Sequence, residues 1–340
     1  MTLSLVFDLL LAGVLLLVSW RLLQASDLFQ ATVLFISFGL FLALAWVRLQ
    51  APDIALAEAA VGAGLAGVLL FGTFKRIEPQ SDHPDQSGQS GQSSQERGPG
   101  DEPFVAGSCR LDQVAACPSR FHYLVAGLGA VALTALLVLA VLELPRHEAG
   151  LAGMVAQKMG SSGVEHPVTA VLLNFRLYDT WLELGVLLLA LMGVFGVRGA
   201  HDLRGLPMRP TASPVARRLV GLLGPLVVLV AAYLLWLGDH APGGAFQAGV
   251  VLAAGLVLLR LTGLPSVDRL SRTALLSCVV VGFAAILLLA VLTALAPQGF
   301  PLEYPSAWAG TLILALEAAA TVSIGVTLAA LVAVVLVVDE

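Results

Sequence analysis

The sequence predicts an all-α, polytopic transmembrane protein with about nine membrane-spanning helices. Hydrophobic residues make up 58% of the 340 residues and charged residues only 12%, against about 25% charged residues in a soluble domain. Nine apolar stretches approach the length of about 20 residues that crosses the hydrocarbon core as a helix. They are Leu3–Leu23, Leu28–Val47, Ile54–Phe74, Tyr123–Leu142, Tyr178–Val197, Leu219–Leu237, Ala245–Leu261, Thr273–Leu295 and Trp308–Val338.

The basic residues predict the orientation of these helices. The first apolar stretch has no preceding Lys or Arg and is too long for the core of a cleavable signal peptide, so we expect it to stay as a helix. An N-terminus outside and a C-terminus inside places most basic residues in cytoplasmic loops, as the positive-inside rule requires. The exceptions are Arg48, Arg146, Lys158 and Arg176. All five tryptophans also fall near predicted helix ends, as in an aromatic belt.

The first three helices should form one compact block over residues 1–76, because very short turns join them. Pro52 suits the first turn of the third helix, and Asp53 is predicted to be its N-cap. Glu58 lies about one turn further on, where capping does not explain it. A charge in the middle of a membrane costs about 3 kcal/mol or more, so Glu58 is a candidate for a proton path.

Residues 77–120 are predicted to be a flexible cytoplasmic linker. The segment 78–118 is rich in Ser, Gly and Gln, and such a stretch buries too little apolar surface to offset its ordering entropy. We interpret it as a tether rather than a regulatory segment. Cys109 and Cys117 in this linker and Cys278 in the eighth helix are predicted to be free thiols, because they form no four-ligand zinc set.

The second block covers residues 121–200 and contains two helices separated by a long outer loop. Asp179 and Glu183 are one helical turn apart on the fifth helix, so both point to one face. Their repulsion when both are ionised favours a proton on at least one of them, which makes both candidates for a proton path. Alternatively, Asp179 is an interfacial residue that pairs with Arg176.

The third block covers residues 201–340 and contains four helices and an unusual hairpin, residues 238–247. The hairpin combines the helix breakers Pro242, Gly243 and Gly244 with polar Asp239, His240 and Gln247 between two apolar stretches. Backbone groups freed by a broken helix must face protein or a wet cavity. His240 titrates near neutral pH in water, so it is a candidate switch at the outer mouth. A plain re-entrant turn with a packed histidine is the alternative.

Glu317 is an acidic residue inside the last predicted helix, followed by Thr321 and Ser323. These two hydroxyls are placed to hydrogen-bond or hydrate its carboxylate. Glu317 is therefore either a further proton-path candidate or a polar side chain that joins two helices by a hydrogen bond.

Three segments resemble known families. Residues 51–64 are similar to the A-P-D-x-A-L-T-E-A-x-V-G-x-G pattern of MbhD-type domains, with Ala57 in place of Thr. Residues 169–180 resemble the T-A-V-L-L-x-F-R-x-Y-D-T element of MbhE-type domains. Residues 238–247, including Phe246, resemble the G-H-x-x-P-G-G-G-F-x-G-G signature of MnhB/MrpB subunits, with Ala245 and Ala248 in place of two glycines. The chain thus resembles a natural fusion of three antiporter-module subunits.

The resemblance implies an accessory subunit of an Mrp-type antiporter of Na⁺ or another monovalent cation against H⁺. It implies other antiporter subunits as partners, a bacterial inner-membrane location, and a place for the Glu58 motif on the family's proposed proton path. No lysine lies inside a predicted span, whereas a self-sufficient pump of this superfamily is expected to hold buried lysines. The alternatives are a subunit of a membrane-bound hydrogenase or complex-I-like redox complex, and a structural scaffold without a transport role.

No enzyme site is expected. The sequence has no phosphate-binding glycine loop with Lys, no metal-ligand set and no nucleophile beside a base, so we predict no cofactor, no metal and no catalytic residue. It also has no basic patch that would bind nucleic acid.

Overall fold

The computed structural model confirms the all-α class. It describes residues 2–67, 69–70, 120–143, 150–198, 213–264, 271–296, 301–305 and 307–336, and every regular element in these ranges is a helix. The predicted linker with Cys109 and Cys117 lies almost wholly outside the described residues, so its role as a tether stays a prediction.

Eleven α-helices make up the described part of the chain, and two of them continue as π-helices. The helices are α1 (Thr2–Leu23), α2 (Leu28–Arg48), α3 (Pro52–Ala57, continuing as a π-helix over Glu58–Leu65), α4 (Arg120–Leu142), α5 (Ala152–Lys158), α6 (Pro167–Ala170, continuing as a π-helix over Val171–Phe175), α7 (Leu177–Arg198), α8 (Pro214–Leu237), α9 (Ala245–Leu261), α10 (Arg272–Ala294) and α11 (Ala309–Leu336).

Side-chain caps fix where several long helices begin. Asp27 accepts hydrogen bonds from the backbone N–H groups of Phe29 and Gln30 at the start of α2. Ser213 and Ser271 cap α8 and α10 in the same way. Each cap satisfies a backbone donor that the first helical turn leaves without an intrahelical partner.

Six of the described helices are long and apolar enough to cross a membrane: α1, α2, α7, α8, α10 and α11. Helix α9 is apolar but has only 17 residues, and α3 is interrupted by its π-helical continuation. Nine spans and the N-out/C-in orientation therefore stay predictions. The predicted loop between the fourth and fifth spans contains α5, α6 and a π-helix, elements that the hydropathy pattern did not reveal.

The chain divides into two compact units, residues 1–80 with 152–340, and residues 81–151. In the first unit, α11 is the central helix, packed against α7, α9 and α10. In its 18-residue apolar window 67% of the residues are buried, against at most 22% for the other five candidate spans. Gly282 of α10 allows this close packing, because an added Cβ would lie 2.9 Å from the Cα of Ala320. The second unit contains α4.

Helix α1 lies at the edge of the first unit and packs mainly on α2. An ion pair joins the two helices, with Arg48 Nε 2.7 Å from Asp8 Oδ1. The remaining face of α1 exposes large apolar side chains, including Leu9, Leu10 and Leu16, as expected of a surface that meets lipid or another membrane protein.

Candidate functional site

The hairpin of residues 238–247 breaks the chain between α8 and α9. Gly244 precedes α9 with φ of 101°, in the left-handed region that glycine enters without a steric penalty. Its N–H donates to the carbonyl of Leu234 at 2.9 Å. A Cβ on Gly243 would lie 2.6 Å from that same carbonyl oxygen. The two glycines therefore let the hairpin fold back against the last turn of α8.

Asp53 connects this hairpin to the first block. Its Oδ1 accepts a 3.2 Å hydrogen bond from the backbone N–H of Gly243, and its backbone carbonyl accepts one of 3.3 Å from Gln247 Nε2. The prediction that Asp53 is an N-cap is wrong. Ala51 occupies the cap position without a side-chain hydrogen bond, and the Asp53 carboxylate is engaged with a distant segment instead.

Helix α6 and the two residues before it also bind the hairpin. The backbone N–H groups of Glu165 and His166 donate to the carbonyl of Asp239 at 3.0 and 2.8 Å, and Thr169 Oγ1 donates to the carbonyl of Gly238 at 2.5 Å. His166 Nε2 additionally lies 3.6 Å from Asp53 Oδ2. All three motif-bearing segments thus meet at one junction. His166 was not singled out in the sequence, since a lone histidine beside a proline carries no distinctive pattern.

Glu58 begins the π-helix that follows α3. Its side chain is half-buried and lies against Gly62, where an added Cβ would collide with Glu58 Oε1. It forms no ion pair with another residue in the described part of the chain. A π-helical turn widens the backbone and often marks a functional site, so Glu58 occupies a local irregularity within the first motif.

A second π-helix, Val171–Phe175, lies in the 169–180 motif. A π-helix has an i→i+5 pattern of backbone hydrogen bonds. Here two side chains also donate hydrogen bonds to its backbone carbonyls. Thr180 Oγ1 donates to the carbonyl of Leu172 at 2.7 Å, and the Tyr304 hydroxyl donates to that of Leu173 at 2.6 Å. Burial raises the pKa of Tyr304, which keeps its hydroxyl a donor. These contacts satisfy backbone groups that a regular helix would pair internally.

Asp179 and Glu183 occupy different environments on α7. Asp179 Oδ2 lies 2.8 Å from Arg176 Nη2. This is the ion pair that the alternative interpretation of Asp179 predicts. Glu183 is exposed, beside Leu182 and Val186, which are 62% and 64% exposed. Glu183 therefore points away from the core of this chain.

Glu317 is the most deeply buried acidic side chain of the described residues, at 2% exposure. Its Oε1 packs against the hairpin glycines, since an added Cβ on Gly244 or Gly238 would lie 3.1 or 3.3 Å away. Neither hydroxyl that was expected to bind its carboxylate is directed to it. Thr321 donates to the backbone carbonyl of Glu317 at 2.8 Å, and Ser323 donates to that of Val279.

The remaining hairpin side chains lie in different environments. His240 Nδ1 lies 3.3 Å from Asp239 Oδ2, and the His240 ring lies 5.3 Å from that of Trp236. Phe246 packs against the main hydrophobic core, and Pro242 is half-buried at the tip. Within the described residues, no three His, Cys, Asp or Glu side chains are grouped as a metal centre requires.

Two family models match this chain, one in its N-terminal part and one in its C-terminal part. The fold and the broken-helix hairpin define a multi-pass membrane protein. Residues 13–79 match the model of the MbhD family of MBH subunits, and residues 215–338 match MnhB, a domain related to the MnhB subunit of Na⁺/H⁺ antiporter. The chain is a fused MbhD/MnhB-type subunit. No curated protein matches it, and the MbhE-type interpretation of residues 169–180 stays a prediction.

Two solved structures share the fold. A chain of the Mrp complex from Dietzia sp. DQ12-45-1b matches with a TM-score of 0.66 and 20% identity over 96% of this chain and 34% of that chain. A chain of the membrane-bound sulfane sulfur reductase, an archaeal respiratory membrane complex, matches with a TM-score of 0.53 and 18% identity over 64% of this chain and 100% of that chain. The protein thus spans about a third of the length of the Mrp chain that it matches.

Proposed function

We propose that this protein is an accessory, coupling subunit of a cation/H⁺ antiporter complex in the bacterial inner membrane. Na⁺ or another monovalent cation is the proposed substrate, and the other antiporter subunits are the proposed partners. The observation that carries the proposal is the junction at Asp53, where segments of the MbhD-type domain and of the MnhB-type domain are joined by side-chain hydrogen bonds. We propose that these bonds transmit movement of one segment to the other.

Glu58 is the proposed proton-path carboxylate of the MbhD-type domain. It lies one turn after Asp53, at the start of a π-helix that packs against α9. Glu58 is therefore separated from the junction at Asp53 by only a few residues of the chain, and it lies on the side of the membrane interior. A carboxylate without an ion-pair partner in the described residues is free to exchange a proton with a water-filled path.

Glu183 is the proposed proton-path carboxylate of the second block. It faces outward from α7 among exposed apolar side chains. Because a carboxylate facing hydrocarbon is strongly disfavoured, a partner subunit that covers this face with polar groups or water is expected. Asp179 lies one turn away and is paired with Arg176. It would lie at the entrance of the same proton path.

A redox-driven complex is the second candidate function. Two observations favour it: the MbhD match, and the fold shared with a respiratory membrane complex. In that complex the same carboxylates would move ions, while partner subunits supply the redox reaction. A scaffold without a transport role is the third candidate and requires none of these carboxylates to titrate.

Purification of the intact complex through a tag on this chain tests the proposal. Mass spectrometry of the co-purifying subunits separates the first two functions, because an antiporter contains no redox subunit. Everted vesicles then provide the functional test. Vesicles that contain the complex should move protons when Na⁺ is added, whereas vesicles from a strain without this chain should not. Proton movement that persists without the chain would reject the proposal, whereas normal exchange after replacement of Glu58, Glu183 and Glu317 would favour the scaffold.

A further inference from the structure

Two carboxylates near the hairpin have buried oxygen atoms without a hydrogen-bond partner. They are Glu317 Oε2 and Asp239 Oδ1, and only one other described side-chain atom, Trp181 Nε1, shares this condition. A buried polar atom without a partner is disfavoured by about 1–3 kcal/mol, and more when it is charged. These two oxygens are therefore available to bind water or another ligand.

Both carboxylates line one cavity of about 350 Å³. Its other lining residues are Val164, Trp236, Gly310, Thr311, Ile313 and Leu314. The volume is large enough for several water molecules, because one water occupies about 30 Å³ in the liquid. The wall is apolar apart from the two acids and the hydroxyl of Thr311. The side chains that offer oxygen ligands to the cavity are thus those of Asp239, Thr311 and Glu317.

The lining residues favour a cation as the ligand. None of the residues lining the cavity is Lys or Arg. The second oxygen of Asp239 lies 3.3 Å from His240 Nδ1. Oxygen atoms of carboxylates, hydroxyls and water are the ligands that hard metal cations take in proteins.

We propose that the cavity between the hairpin and α11 is a binding site for a monovalent cation of the size of Na⁺, held by Glu317 and Asp239. Asp239 is 38% exposed and Glu317 is 2% exposed. Asp239 therefore lies near the surface and Glu317 lies in the interior. The cation would enter beside Asp239 and lose part of its water against Glu317. The inference deepens the proposed function, on which it rests for the identity of the cation.

The two glycines at the hairpin shape this site. Oε1 of Glu317 packs where a side chain on Gly238 or Gly244 would lie, so the absence of side chains at these glycines makes room for the carboxyl group that lines the cavity. The hairpin therefore serves two purposes, joining Asp53 and forming one wall of the cation site. A plain re-entrant turn would require neither the buried acid nor the cavity beside it.

Equilibrium binding of ²²Na⁺ to the purified complex tests the site, without any ion gradient. Glu317→Gln should remove one Na⁺ site per complex or weaken it by about tenfold or more, because it removes one of the two carboxyl groups that line the cavity. Asp239→Asn should weaken the same site, and its exposed position makes it tolerable to the fold. Glu303→Gln is the matched control, since Glu303 is exposed outside the cavity, and it should leave the number and affinity of sites unchanged.

A second variant, Leu314→Phe, narrows the cavity without changing its charge and should also weaken Na⁺ binding. Unchanged stoichiometry and affinity in Asp239→Asn and Leu314→Phe would overturn the site, even if Glu317→Gln failed to assemble. The outcome is separable from that of the proposed function. Loss of one site in a complex that shows no cation-driven proton movement would support the site and reject the antiport function. Normal exchange with unchanged binding in these variants would reject the site alone.

Discussion

Asp53 and Gly243 are 190 positions apart in the chain, yet the carboxylate of the first accepts a 3.2 Å hydrogen bond from the backbone N–H of the second. Each residue belongs to a different family motif, in the MbhD-type and MnhB-type domains. Fusion of the two domains into one polypeptide keeps this contact intramolecular, so the junction does not depend on the association of separate subunits. The contact also explains why the hairpin is not a regular helix. Inside a regular helix the backbone N–H groups are already paired, so none would be free to bind Asp53.

Removal of the Asp53 carboxylate should destabilise the protein. Asp53→Ala leaves the Gly243 N–H without its acceptor, which is expected to reduce the free energy of unfolding by about 1–3 kcal/mol. Asp53→Asn retains an acceptor oxygen of the same size and is expected to have a smaller effect. Thermal unfolding of the purified complex, followed by tryptophan fluorescence, measures both. Equal melting temperatures for the wild type and Asp53→Ala would contradict a role for this bond.

Valine at the hairpin glycines should prevent assembly. In Gly243→Val the new Cβ would lie 2.6 Å from the carbonyl oxygen of Leu234, and in Gly244→Val a β-branched residue would occupy φ of 101°. Gly221→Val is the control, because nothing lies within 4 Å of an added Cβ on this α8 residue. Subunit content of purified complexes is the measurement. Normal assembly of the Gly243 and Gly244 variants would show that these glycines only fill a turn.

Glu58→Gln should assemble but lose cation-driven proton movement. The amide keeps the size and hydrogen-bonding capacity of the side chain but does not titrate, whereas Glu58→Asp titrates from a shorter side chain and should keep part of the activity. Fluorescence of a pH dye in everted vesicles after Na⁺ addition measures exchange, with subunit content checked on the same membranes. Glu303→Gln is the matched control. Wild-type exchange in Glu58→Gln would remove this residue from the proton path.

Glu183→Gln should show the same loss of exchange, because the side chain faces the surface where a partner subunit is expected. Asp179→Asn should have a weaker effect, since Asp179 is already paired with Arg176 at 2.8 Å. Chemical cross-linking from a cysteine placed at Leu182 provides a second readout and should capture a partner subunit. If Leu182 cross-links to no other subunit and Glu183→Gln exchanges normally, the face is a lipid surface without a transport role.

The segment 78–118 should be cut by protease only from the cytoplasmic side of sealed vesicles. The distribution of Lys and Arg places it inside. Protease added to right-side-out and to inverted vesicles, followed by detection of fragments, measures the accessible face. Cleavage from the outer face would reverse the predicted orientation. Shortening the Ser/Gly/Gln core of the segment should leave assembly unchanged, because a tether contributes no packing.

The sequence by itself determined the fold class and the family. Long apolar stretches separated by short polar turns predict membrane helices without further information, since hydrophobic length is a local property. The helix breakers at Pro242, Gly243 and Gly244 likewise identify the hairpin locally. The motif around Glu58 predicts the MbhD-type domain, which the family comparison confirms.

Only the tertiary structure decided what each polar side chain contacts. Asp53 has the sequence context of a helix cap, but its carboxylate is engaged with a hairpin 190 residues away. Asp239 and Glu317 line one cavity although 77 residues separate them, as their positions show, and Glu183 faces outward. Periodicity and capping preferences describe interactions within a few residues. Contacts between distant segments depend instead on how the helices pack, which is set by the summed shape and burial of many side chains and has no local pattern in the sequence.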